Sequence, residues 1–124
     1  QGVLVFETED FDIGGNYDTS NGRFTAPIAG IYWFAFNMIV ATNTSGGTPT
    51  AGDSFASRLI KNGSDIEGTL GYSMINANFQ INVNSVHMVQ LSASDYVQVN
   101  VSSEFAYSDG NAINDPSFQG YLLG

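Results

Sequence analysis

The chain has 124 residues, 43% of them apolar, which fits one globular domain and not a disordered segment. Twelve acidic residues oppose three basic ones for a net charge of −9, so Arg23, Arg58 and Lys61 cannot form the basic stripe that nucleic acid or an anionic membrane surface requires. Cysteine is absent, which excludes disulfides, thiolate metal sites and a cysteine nucleophile.

No run of about 18 apolar residues occurs, so no membrane insertion is expected. Gln1 is not a start methionine, and residues 1–124 are expected to be a single domain, either cut from something longer or processed. Helical periodicity is nearly missing, whereas short apolar runs separated by turn residues recur along the chain. Residues 3–6 read as a first strand, followed by an acidic connection through Glu7, Glu9, Asp10 and Asp12. Asn21-Gly22 marks a tight turn before a short extended piece at 23–25 that ends at Pro27. A long strand then starts at Gly30, and residues 42–53 form a polar loop. Residues 54–61 are a strand with Phe55 and Leu59 on one face. Asn62-Gly63 closes it with a two-residue hairpin that needs positive φ at both positions, and residues 66–72 return as its partner. Residues 79–91 form a second long strand, with Phe79, Ile81, Val83, Val89 and Leu91 sharing one parity. Residues 96–102 alternate cleanly, Val97, Val99 and Val101 pointing inward and Gln98, Asn100 and Ser102 pointing to water. Residues 108–117 are a loop, because Pro116 cannot serve a central strand, and 118–123 are the last strand. The sum is an all-β chain of eight to ten strands in two packed antiparallel sheets.

The stretch GIYWFAFNMIVA at residues 30–41 breaks the alternation expected of a half-buried strand. Its even positions, Tyr32, Phe34, Phe36, Met38 and Val40, are all large and apolar. Its odd positions, Ile31, Trp33, Ala35, Asn37 and Ile39, include only one clearly polar residue. A strand apolar on both sides belongs to a sheet covered twice. One cover is the facing sheet; in a chain without helices the simplest second cover is another copy of the same chain.

YDTSNGRFTAPIAGIYWFAFN, residues 17–37, closely resembles the globular head domain of complement C1q and its relatives through Tyr17, Gly22, Phe24, Pro27, Gly30, Tyr32 and Phe34. SRLIKNG at 57–63, LSASDYVQVNV at 91–101 and FQGYLL at 118–123 agree with further blocks of that family in order and spacing, with Ser94 where glycine is usual. The resemblance implies a ten-strand jelly roll, shared with tumour-necrosis-factor-like cytokines, that assembles as a homotrimer. It also implies that the strand at 31–40 lies in the inner sheet toward the threefold axis. Ile31, Trp33, Ala35, Asn37 and Ile39 are then the expected trimer interface. Members of the family are mostly binding heads on collagen-like or coiled-coil stalks, and related domains occur on bacterial surfaces and bacteriophage particles. An extracellular or virion-surface location follows as an expectation, the polar, lysine-poor texture being closer to the phage and microbial branch.

The remaining chemistry is sparse. His87, the single histidine, shares a face with Ser85, but no third group is specified, so a packed residue is expected and not a nucleophile–base pair. Paired carboxylates without a cleft signature do not make a glycosidase, and no enzyme activity is expected. Calcium is the cofactor the oxygen-rich segments suit best: Asp109, Asn111, Asn114 and Asp115 offer carboxylate and amide oxygens within one loop. Their spacing fits no calcium-loop pattern, and a solvated turn is the simpler expectation. Some members of the resembled family hold calcium through aspartate in the segment matching 70–80, where this chain has Asn76 and Asn78 and no acid. Three Asn-x-Ser/Thr patterns, at Asn43, Asn62 and Asn100, are expected chance matches in a chain so rich in Asn and Ser.

The functional expectation is a non-enzymatic trimeric head at the tip of a fibre or stalk, recognising a surface glycan or protein through loops carrying Thr44, Asp53, Tyr72, Asn76, Asn78 and Tyr107. The alternative is a structural trimerisation or capping knob without its own ligand. The partners are the chain itself and that ligand, with no nucleic acid.

Overall fold

The structure, a computed structural model, describes residues 2–6, 15–40, 54–74, 81–103 and 113–124. Within them lie ten strands and no helix: β1 (Gly2–Leu4), β2 (Tyr17–Asp18), β3 (Arg23–Thr25), β4 (Gly30–Val40), β5 (Ser54–Lys61), β6 (Ser64–Asp65), β7 (Gly71–Met74), β8 (Ile81–Leu91), β9 (Tyr96–Ser103) and β10 (Ile113–Leu122). They form two antiparallel sheets. The larger runs β2-β3-β9-β5-β6, with β1 also on β9 and β7 also on β5; the smaller runs β10-β4-β8.

The core lies between the sheets and is built by side chains two residues apart. Val97, Val99 and Val101 of β9 and Phe55 and Leu59 of β5 meet Tyr32, Phe34, Phe36 and Met38 of β4 and Val83, Val89 and Leu91 of β8. Rings run through it in a chain of contacts. Phe34 meets Phe24 edge-on at 5.2 Å and stacks on Phe118 at 5.8 Å, and Phe118 continues to Phe6 at 5.4 Å and Tyr17 at 5.8 Å. Such ring pairs add about 0.5–1.5 kcal/mol each beyond the area they bury. The tyrosine hydroxyls at the core margin keep partners: Tyr32 donates to the Ile28 carbonyl at 2.7 Å, and Tyr17 accepts from the Phe6 amide at 2.9 Å.

The turns follow local chemistry. Asn62 and Gly63 both take positive φ, 51° and 84°, as the two-residue hairpin demands. Asn62 then ties this hairpin to the β8–β9 turn. Its side-chain amide donates to Asp95 at 2.8 Å, its side-chain oxygen accepts from the Tyr96 amide at 3.0 Å, and Asp95 accepts from the Ser92 amide at 2.8 Å. The hydrogen bonds from Asn62 and Ser92 hold the Asp95 carboxyl below its ordinary range.

Ser94, in that same turn, sits at φ 75°. The left-handed region is strained for a side chain bearing Cβ and free for glycine, which is the physical reason the resembled block carries glycine there. Ser94→Gly is expected to raise the unfolding free energy by about 0.5–1 kcal/mol, the strain relief less the entropy glycine regains when unfolded. Urea denaturation measures this, and a lower midpoint at unchanged slope would contradict it.

Four expectations need correction. The first strand ends at Leu4, and Phe6 leaves the ladder to enter the core. The return partner of β5 is not continuous over 66–72. It divides into β6 and β7 because Thr69, buried, supplies its hydroxyl to the Leu59 amide at 3.1 Å and the Ile66 carbonyl at 2.8 Å where ladder bonds would otherwise run. Gln98 does not point to water. The β2–β3 turn curls over it, and its amide donates to the Asn21 carbonyl at 2.8 Å. Finally, the last strand begins at Ile113 and not at 118, so residues 113–117 of the expected loop are ladder and bulge. The register shifts between Asn114 and Ser117, and Pro116 occupies that irregularity on β10, an edge strand of its sheet among the described residues. A bulge on an edge is where proline is tolerated.

Candidate assembly and binding surfaces

The two sides of β4 have different fates in the single chain. Tyr32, Phe34, Phe36 and Met38 are fully buried, whereas Ile31 is exposed and Trp33, Ala35, Asn37 and Ile39 are half-buried on the face turned away from the core. Register extends that outer face across three strands. Trp33 lies between Tyr121 of β10 and Met88 of β8, and Ala35 between Gln119 and Val86. Leu123 adjoins Ile31, donating its amide to the Ile31 carbonyl at 2.8 Å. The Trp33 and Tyr121 rings are tilted together at 5.0 Å.

Met88 is 69% exposed, Val86 59% and Tyr121 52%, far more than core side chains of these types and all on one face. Scattered apolar residues on a surface are ordinary, but a contiguous group spanning three strands is the signature of a contact surface. The strand β4 half of this patch was legible from the sequence. Val86, Met88, Tyr121 and Leu123 were not. Val86 and Met88 carry the opposite parity to the core residues of β8, and that second apolar parity was the available signal. Tyr121 joins only through the β10–β4 register.

Tyr72 lies on β7 opposite Ala56, at 68% exposure, and is a free aromatic on the larger sheet. Thr44, Asp53, Asn76, Asn78, Tyr107, Asp109 and Asn111 lie outside the described residues. Asn114 and Asp115 fall within β10, Asn114 paired with Ile39, so they are strand residues and not members of one continuous oxygen-rich loop. Among the described residues no group of three or more histidine, cysteine, aspartate or glutamate side chains comes together as a metal site.

Ser85 and His87 stand opposite Phe36 and Phe34 on the core side of β8 and share a hydrogen bond between Oγ and Nε2. Burial pushes the imidazole below its ordinary 6.5, toward the neutral form. Among the described residues no carboxylate orients the ring, which leaves it a packed edge residue. The three cations are engaged: Arg23 over the Tyr96 ring at 3.9 Å, Arg58 with Asp65, and Lys61 with Asp95 at 3.7 Å. None contributes to a positive patch.

Comparison with known proteins agrees with this geometry. Residues 1–123 match the family described as the C1q domain. Complement C1q tumor necrosis factor-related protein 3 from Homo sapiens and from Mus musculus is each 39% identical over 36 residues. That segment is 29% of this chain and 15% of either relative, so the matched length is a small part of those proteins. Among solved structures, the globular domain of zebrafish complement 1qA protein superposes with a TM-score of 0.72 over 98% of this chain and 84% of that one. At 16% identity this is a likeness of fold.

Proposed function

The chain belongs to the C1q domain family, and from that premise we propose that it is a non-enzymatic head that assembles as a homotrimer and recognises a surface glycan or protein outside the cell. The observation that carries the reading is the outer face of the small sheet. Tyr121, Met88, Val86 and Ile31, exposed, and Trp33, half-buried between them, form an apolar surface that the chain itself covers only in part. A second and third copy cover it, with the hydrophobic effect as the driving force, at about 25 cal/mol per Å² of apolar surface removed from water. The seven-stranded sheet then faces outward three times, presenting Tyr72 and the connections between strands as three identical sites on one rigid body.

Three weak sites acting together raise apparent affinity by roughly 10²–10⁴ without any new contact. The acidic balance of the chain directs the ligand away from phosphate-rich or sulfated surfaces and toward neutral sugars or protein. The test is binding to printed glycan and extracellular-protein arrays, with the assembled protein and an assembly-deficient variant side by side. Binding by the assembled protein, with loss of roughly 10²–10⁴ in apparent affinity for the variant, is expected. Equal binding by both sinks the avidity mechanism. An assembled protein that binds nothing on either array is a structural knob, as on the tip of a virion or cell-surface appendage.

A further inference from the structure

The outer face of the small sheet is divided along the strands. Three rows at one end are mainly apolar: Leu123 and Ile31 with Gln90, then Tyr121, Trp33 and Met88, then Gln119, Ala35 and Val86. Two residues further along β4 the chemistry changes. Asn37 pairs with Asn84 on one side and Ser117 on the other, and beyond it Ile39 pairs with Asn82. The centre of this amide group lies about 13 Å from Trp33, at four residues of extended chain. Asn82 and Asn84 are exposed and Asn37 is half-buried. Among the described residues none of the three side-chain amides has a hydrogen-bond partner.

We infer that the Asn37–Asn84 pair, with Asn82 beside it, is the registration device of the assembly: it selects one copy number and one mutual alignment, and does so at the expense of stability. The inference rests on the reading that further copies cover this face. Apolar contacts are non-directional, so the Trp33 end by itself tolerates sliding, tilting and alternative numbers of copies. Amides do not. Each carries two donors and an acceptor oxygen, and burying them without partners is unfavourable. Covered by a neighbour in the right register, Asn37, Asn82 and Asn84 meet their counterparts and are satisfied. A shifted or differently numbered arrangement sets them against Val86, Met88 or Ile31 and leaves them unpaired. A single buried asparagine fixes alignment and copy number in coiled coils by this same asymmetry.

The test is the double variant Asn37→Val, Asn84→Val, whose β-branched side chains suit a strand, compared with the unaltered protein by native mass spectrometry and light scattering, with thermal unfolding in parallel. The expected result is a melting temperature raised by roughly 2–8 °C and a mass distribution broadened from one species to two or more. Retention of the single original species overturns the registration role and leaves the covered-face reading intact. Dissociation of the double variant to monomer also overturns it, since the amides would then be adhesive and not selective. The single variant Asn84→Val, expected to show the same broadening to a smaller degree, replaces the double one if that precipitates. A monomeric unaltered protein sinks the covered-face reading and this inference together.

Discussion

Trp33→Asp is expected to yield a folded monomer. Trp33 lies on the side of β4 away from the core and touches Tyr121, while the alternating partners Tyr32 and Phe34 fill the interior, so the substitution leaves the sandwich intact. It places a carboxylate in the middle row of the apolar face, between Tyr121 and Met88. Covering that face buries a charge without a cation to pair it, which costs several kcal/mol per ion, and symmetry repeats the penalty in every copy. Like charges brought together around one axis add repulsion in a chain that already carries −9. Light scattering is expected to show the mass falling to that of one chain at micromolar concentration, with an unchanged far-ultraviolet dichroism spectrum. A variant that remains fully assembled would place Trp33 outside the interface.

The second large effect concerns the core contact between Phe34 and Gly120. Phe34 is 0% exposed and touches Phe24, Tyr32 and Phe118. Gly120 lies opposite it on β10, so close that a Cβ there would sit 2.6 Å from the Phe34 ring. The ring fills the space a side chain at 120 would need. Phe34→Ala is expected to lower the unfolding free energy by about 3–5 kcal/mol through lost burial and the cavity left behind. Gly120→Ala is expected to lower it by about 1–3 kcal/mol through overpacking. Because the two residues share one volume, the effects are not additive: Gly120→Ala in a Phe34→Leu background is expected to be less damaging than in the original chain. A double-mutant cycle in urea measures the coupling. Strict additivity would mean that the glycine is there for another reason.

These two residues also illustrate what the sequence made legible. Phe34 was identified as core from parity within residues 30–41, and β4, β5 and β9 follow the expected runs to within a residue. That is because local alternation and turn residues report directly on a two-layer sandwich. The reason for Gly120 was not readable, since it depends on which residue β10 sets beside Phe34. Tyr121 joined the candidate interface on the same grounds, through the β10–β4 register and not through any local pattern. Pro116 misled in an instructive way. It argued against a strand at 108–117, yet an edge strand with a bulge accommodates it. Gln98 misled because alternation predicts which face a side chain is on, while the covering of that face by the β2–β3 turn is a tertiary fact. Of the expected recognition residues, Tyr72 stands exposed on the larger sheet. The other expected recognition residues fall in connections, whose polar composition carries little periodic information.

The central claim is that the small sheet carries apolar side chains on both faces because other copies complete it. Sedimentation equilibrium of the unaltered protein at micromolar concentration tests this most directly. A single species at three times the 13.3 kDa chain mass is the predicted result; a well-folded species at 13.3 kDa would contradict it.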